Sequence, residues 1–200
     1  FNAASAVVTV HGLNIHPGDA KNKMKNALLI AIEFQNMLPA WEIPACTEGY
    51  EGFQHLNRLN GDEETATLHY IIRDHDRAKF EAKKERFRRI AVYLNDKHGD
   101  GTIELELADS YYNMREKVEP HLFLIENAKK AMLDVGVTPL VQPIRGGTDG
   151  SRLSYMGLPC PNLSTGGHNA HGRFEYIPVQ SMDAMVRVLR RLACPTAQNA

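Results

Sequence analysis

Cysteine is scarce in this chain: there are three in 200 residues, at positions 46, 160 and 194, with no Cys-x-x-Cys pair. That odd, dispersed set argues against a disulfide framework and a thiolate zinc site, and it suits a reducing compartment such as the cytoplasm. Net charge is missing too. Twenty-three Lys and Arg stand against 24 Asp and Glu, a formal balance of −1, so neither nucleic acid nor an anionic membrane is expected as a partner. No apolar run approaches the ~20 residues of a membrane helix. Aromatics make up 8% of the chain, with one Trp, which is little for a sheet that stacks RNA bases. There is no Gly-x-Ser-x-Gly elbow, no P-loop and no His-Glu-x-x-His. The start, Phe1-Asn2-Ala3-Ala4-Ser5-Ala6-Val7-Val8, has neither Met nor a signal-peptide n-region, and the chain is expected to begin partway through something longer.

What is present suffices for a core. Hydrophobic residues are 43% and charged residues 24%, ordinary values for a folded chain. Ala6 to Val10 reads as a strand. The loop Gly12-Leu13-Asn14-Ile15-His16-Pro17-Gly18 follows, and Asp19 is the expected cap of a helix from about Ala20 to Leu38. Its inner face is expected to hold Met24, Ala27, Leu28, Ala31, Ile32, Gln35 and Leu38. Glu48 to Leu59 looks extended, Asn60-Gly61-Asp62 is a hairpin signal, and Thr65 to Asp74 is the second arm. Asp76 caps a helix to about His98, with Phe80, Phe87, Ile90, Ala91 and Leu94 inward, and Thr102 to Ala108 alternates as a strand. The order β-α-β-β-α-β is the ferredoxin-like pattern.

After residue 112 the character changes. A helix is expected over 119–135, a short apolar strand near 139–144, a short helix ending at Gly157, a strand near 161–163, and a last helix over 181–193. Alternation of this kind suggests α/β layers, and two strands make only part of such a domain.

Four clusters are candidates for chemistry. The Gly-rich loop from Ser164 to Glu175 carries His168 and His171, either of which suits zinc, or neither if the loop is a solvated turn. Ile144-Arg145-Gly146-Gly147-Thr148-Asp149 offers a guanidinium fork and backbone amides to a carboxylate, or is a tight βα turn. His16 is a lone loop histidine. Arg73-Asp74-His75-Asp76-Arg77 ends a strand and reads as an ion-pair cluster or a site. His98-Gly99-Asp100 and Asp62-Glu63-Glu64 imitate metal and acid motifs, and are read as helix-end and hairpin chemistry.

These residues carry a resemblance. Phe1 to Ser5, Asn14 to Gly18, Thr47 to Phe53, Tyr70 to Asp74, Asp109 to Met114, Pro143 to Gly150 and Gly157 to Gly167 together look like the peptidase T family of tripeptide aminopeptidases, within the M20 di-zinc metallopeptidases. The likeness covers the second half of a family member. It implies a ferredoxin-like lid and dimerisation domain over 1–113, and the C-terminal part of an α/β catalytic domain over 114–200.

The resemblance also implies roles. His171, four residues before Glu175-Tyr176, matches the family's late zinc-ligating histidine, and His168 does not. Arg145 with Gly146, Gly147 and Thr148 matches the segment that grips the substrate's carboxylate end. Arg73 resembles a second positive group for the peptide. His16 matches the lid histidine that steadies the oxyanion, with Asn14 beside it orienting it or touching substrate. Two zinc ions activate water in such sites, and the remaining ligands and general base lie outside this chain, which alone is expected to be inactive. Short peptides, a homodimer through the lid and a cytoplasmic setting complete the expectation. The alternative is a non-catalytic lid and dimerisation module.

Overall fold

The computed structural model describes residues 1–194, and the chain divides into two compact units. The first comprises Phe1–Asn113 with Pro143–Gly147, and the second Met114–Gln142 with the residues from Thr148 onward. Pro143–Gly147, expected with the later part of the chain, therefore packs with the first unit.

Four strands and two helices build the first unit. They are β1 (Asn2–His11), α1 (Ala27–Asn36), β2 (Phe53–Gly61), β3 (Thr65–Asp74), α2 (Arg77–His98) and β4 (Ile103–Tyr111). The sheet order is β2-β3-β1-β4 and every pairing is antiparallel. Alternation puts Ala4, Ala6, Val8 and Val10 of β1 and Ala66, Leu68, Tyr70 and Ile72 of β3 on one face. Phe34 of α1 and Phe80, Phe87 and Leu94 of α2 close over that face, all fully buried. Tyr70 buries its ring edge-on to Phe87 and donates its hydroxyl to Gln35 Oε1 at 2.9 Å. Each such large side chain contributes ~1.5–3 kcal/mol.

Helix α1 is shorter than the periodicity suggests. Lys25 exchanges both backbone hydrogen bonds with Leu13, which holds the preceding stretch extended. Asn26, not Asp19, then caps the helix through Leu29 N–H at 3.2 Å. The buried stripe is Ala27, Ile30, Ala31, Phe34 and Leu38, which leaves Ile32 exposed. Asp76 caps α2 as expected, accepting from Lys79 N–H at 2.8 Å.

Two lysines of α2 face inward. Lys83 reaches Glu42 at 2.6 Å and Asp74 at 3.5 Å, and Lys84 reaches Asp109 at 2.7 Å. Arg86 joins Glu42 at 2.9 Å. The inward charges are tolerated because each is paired.

In the second unit the described elements are all helical: α3 (Arg115–Val118), α4 (Phe123–Asp134), α5 (Asp149–Tyr155) and α6 (Val179–Ala193). The expected strands near 139–144 and 161–163 do not form among the described residues. These short apolar segments have no strand partner, and a strand needs one to satisfy its backbone. The expected helix over 119–135 starts later, because Glu119–His121, where Pro120 lies, forms a 3₁₀ turn and α4 begins at Phe123. Helices α4 and α6 pack together, tied by Arg191 to Asp134 at 2.7 Å.

Candidate functional site

In the first unit, Asn14 and His16 sit on the loop that leaves β1. Pro17–Asp19 forms one 3₁₀ turn, and His16 Nδ1 accepts the Gly18 backbone N–H at 3.1 Å. An imidazole nitrogen that accepts carries no proton, so in the neutral ring the proton resides on Nε2, the outer nitrogen. Gly18 lies close to the ring: a Cβ there meets His16 Cε1 and Nδ1 at 3.2 Å, a tight contact that the imidazole has to yield to.

Around His16 lies a cavity of about 450 Å³, lined by Asn14, Ile15, His16, Pro17, Met24, Asn26 and Glu63. Asn14 Nδ2 donates to Glu63 Oε1 at 3.1 Å. Glu63 comes from the β2–β3 hairpin, which sequence reading assigned to turn chemistry. That reading suits Asp62, whose Oδ1 accepts from Glu64 and Thr65 N–H at 2.9 and 3.0 Å. Glu63 instead reaches across to the His16 loop. No spacing in the sequence connects positions 14 and 63, and only hairpin docking brings them together.

Arg145 and Arg73 also lie in the first unit, but in a different setting. Arg145 Nη1 donates to the carbonyls of Gly49 and Glu51, both at 2.9 Å, and Nη2 to Thr47 O and Oγ1 at 3.1 and 2.8 Å. Its guanidinium carbon also lies 5.6 Å from the Phe53 ring centre. Four of its five N–H groups are thus engaged by one loop. Arg73 Nη1 donates to Arg145 O at 3.2 Å. Gly147 lies on the Tyr111 ring, where an added Cβ falls 2.7 Å from ring atoms, while a Cβ at Gly146 meets nothing within 4 Å. Burial pushes the Tyr111 hydroxyl pKa up.

Thr148 and His171 belong to the second unit. Thr148 Oγ1 accepts from Asn162 Nδ2 at 3.0 Å. The His loop is a small hairpin, closed by reciprocal backbone bonds between His168 and Tyr176 at 2.8 and 3.2 Å. The two rings stack, 5.0 Å between centres. His168 is therefore occupied in closing the hairpin. His171 stands near its tip with φ +62°, a left-handed conformation uncommon outside glycine. Glu175 Oε2 accepts the His171 backbone N–H at 3.2 Å and holds that conformation. The His171 side chain is exposed.

Among the described residues no three His, Cys, Asp or Glu side chains converge where a metal ion could be held. A catalytic zinc takes three protein ligands. The residues present do not hold such an ion by themselves. The three cysteines are unpaired thiols, and among the described residues no helix is long and apolar enough to cross a membrane.

The antiparallel β2-β3-β1-β4 sheet covered by two helices, in the order βαββαβ, is a ferredoxin-like fold. The profile of the peptidase dimerisation domain, M20 type, matches residues 1–102. The chain belongs to the M20 peptidase family. It is 56% identical over 192 residues to Peptidase T of Caldanaerobacter subterraneus subsp. tengcongensis and 60% identical over 192 residues to Peptidase T of Halothermothrix orenii. Each alignment covers 96% of this chain and 47% of the relative. The chain spans about half the length of the curated relatives it matches. The solved structure of a tripeptidase from Staphylococcus aureus superposes with a TM-score of 0.76 at 17% identity, over 96% of this chain and 50% of that one. Aminopeptidase PepT from Bacillus cereus gives 0.71 at 20% identity, over 96% of this chain and 52% of that one. These two likenesses bear on fold.

Proposed function

We propose that this chain is the C-terminal half of a zinc-dependent aminopeptidase that removes the N-terminal residue from tripeptides. One observation carries this: identity with Peptidase T runs over 192 residues, through both compact units. His171 is proposed as one zinc ligand, presented by the strained hairpin that Glu175 fastens. The other ligands of two zinc ions, and the general base, come from protein outside this chain. Bound zinc supplies Lewis-acid chemistry at the scissile carbonyl. His16 is proposed to donate Nε2–H to the oxyanion, a role for which its Nδ1 bond to Gly18 selects the right tautomer.

Arg145, with Gly146, Gly147, Thr148 and Arg73, is proposed to receive the peptide's carboxylate end. The fork of Arg145 now holds the Thr47–Glu51 loop, so a carboxylate has to displace carbonyls to be gripped by it. A homodimer through the first unit is supported by the dimerisation-domain match. A cytoplasmic setting suits the unpaired cysteines. Nucleic acid is not a proposed partner, given the formal charge of −1.

The chain alone is proposed to be inactive and to bind zinc weakly. The test compares tripeptide hydrolysis by the full-length protein and by the 200-residue chain, each with added zinc. Turnover by the full-length protein only is the expected result, and robust turnover by the chain alone refutes it. The second reading, a non-catalytic lid and dimerisation module, is favoured by the profile match to residues 1–102. It predicts no hydrolysis by either.

A further inference from the structure

The hairpin between β2 and β3 is clamped onto the His16 loop. Gly12 N–H donates to Glu64 O at 2.8 Å, and Ala27 N–H donates to Glu63 O at 2.9 Å. A Cβ on Gly12 collides with the Glu63 carbonyl oxygen and falls 2.5 Å from the Lys25 carbonyl oxygen. Ala27 thus holds the backbone of Glu63 and Gly12 that of Glu64, and the Glu63 carboxylate lines the same cavity as His16.

That cavity has a distinct polarity. Among its lining residues Glu63 is the one with a formal charge when histidine is counted neutral. Asn26 is engaged in capping α1. The Asn14 amide has to turn Nδ2 toward Glu63, since its carbonyl oxygen facing a carboxylate is repulsive. Asn14 Oδ1 and Glu63 Oε2 then remain as acceptors. Among the described residues Glu63 forms no ion pair. A carboxylate and an amide oxygen lining one cavity both accept N–H bonds, which suits a small cation that carries several N–H groups.

We propose that Glu63 and Asn14 bind a primary ammonium group, the free amino end of a short peptide, in the cavity beside His16. The ammonium's assignment to a peptide rests on the peptidase proposal, whereas its binding by Glu63 does not. Charge-assisted N–H···O bonds of this kind are about twice as strong as neutral ones. A free amine is thereby selected over a blocked one.

The experiment titrates the ¹⁵N-labelled 200-residue chain with trialanine and with N-acetyl-trialanine, following the Asn14 side-chain amide and the Glu63 backbone amide. Saturable shifts with trialanine, at least about tenfold weaker with the acetylated peptide and in Glu63→Gln, are expected. Glu63 is exposed, so Glu63→Gln keeps the fold, and circular dichroism checks it. Equal affinity for the free and acetylated peptides, or for Glu63→Gln and the unsubstituted chain, overturns the proposal. In the full-length protein Glu63→Gln raises KM more than it lowers kcat. Hydrolysis indifferent to that substitution overturns the ammonium site and leaves the peptidase proposal standing. Ammonium binding without any hydrolysis by the full-length protein supports the site and overturns the peptidase proposal instead.

Discussion

Arg145 Nη2 donates to both the backbone carbonyl and the hydroxyl of Thr47, 98 residues away in sequence, at 3.1 and 2.8 Å. With Nη1 shared between Gly49 and Glu51, the guanidinium fastens the loop ahead of β2. Arg145→Lys keeps the charge and loses the planar fork. A loss of about 2 kcal/mol is expected by urea unfolding, with faster amide exchange over residues 47–51. Unchanged exchange there shows that the loop does not depend on Arg145.

Gly18→Ala tests the placement of His16. The new methyl meets the imidazole at 3.2 Å and turns it, while the fold is left intact. In the full-length protein both Gly18→Ala and His16→Ala are expected to lower kcat, about tenfold or more, with KM changed less. A change in KM alone assigns His16 to binding.

His171→Ala in the full-length protein is expected to remove one zinc per protomer, read by elemental analysis. Glu175→Ala removes the acceptor of the His171 backbone N–H and is expected to weaken zinc binding about tenfold. An unchanged two-metal content in His171→Ala removes His171 from the ligand set.

Glu42 makes the first unit acid-sensitive. Burial pushes its carboxyl pKa up, and hydrogen bonds from Arg86 and Lys83 outweigh that, so the group ionises below its ordinary value. The folded state then binds fewer protons than the unfolded state. The stabilisation is complete above about pH 5 and fades as pH falls through the lowered folded value. Glu42→Gln is expected to cost about 1–2 kcal/mol at neutral pH and to flatten the acid limb of the stability profile. Parallel profiles for the two proteins refute the role of this ion pair.

By itself the sequence determined those elements whose signals are local. The Asp76 cap, the apolar stripe of Phe80, Phe87, Ile90, Ala91 and Leu94, the Thr65–Asp74 arm and the βαββαβ order all depend on neighbours within a few residues. Dispersed cysteines and balanced charge also follow from the chain alone, and the motif order named the family. Tertiary structure decided the rest. Leu13 pairing with Lys25 shortened α1 and rotated its buried face, overriding a cap signal at Asp19 that was locally sound. The segment around Arg145 settled in the first unit because its guanidinium finds carbonyls there. Glu63 entered the His16 cavity through a hairpin contact 49 residues from Asn14. Hydrogen bonds of that range leave no period or spacing in a sequence, because each depends on a distant donor and acceptor being brought to about 3 Å only after the sheet has formed.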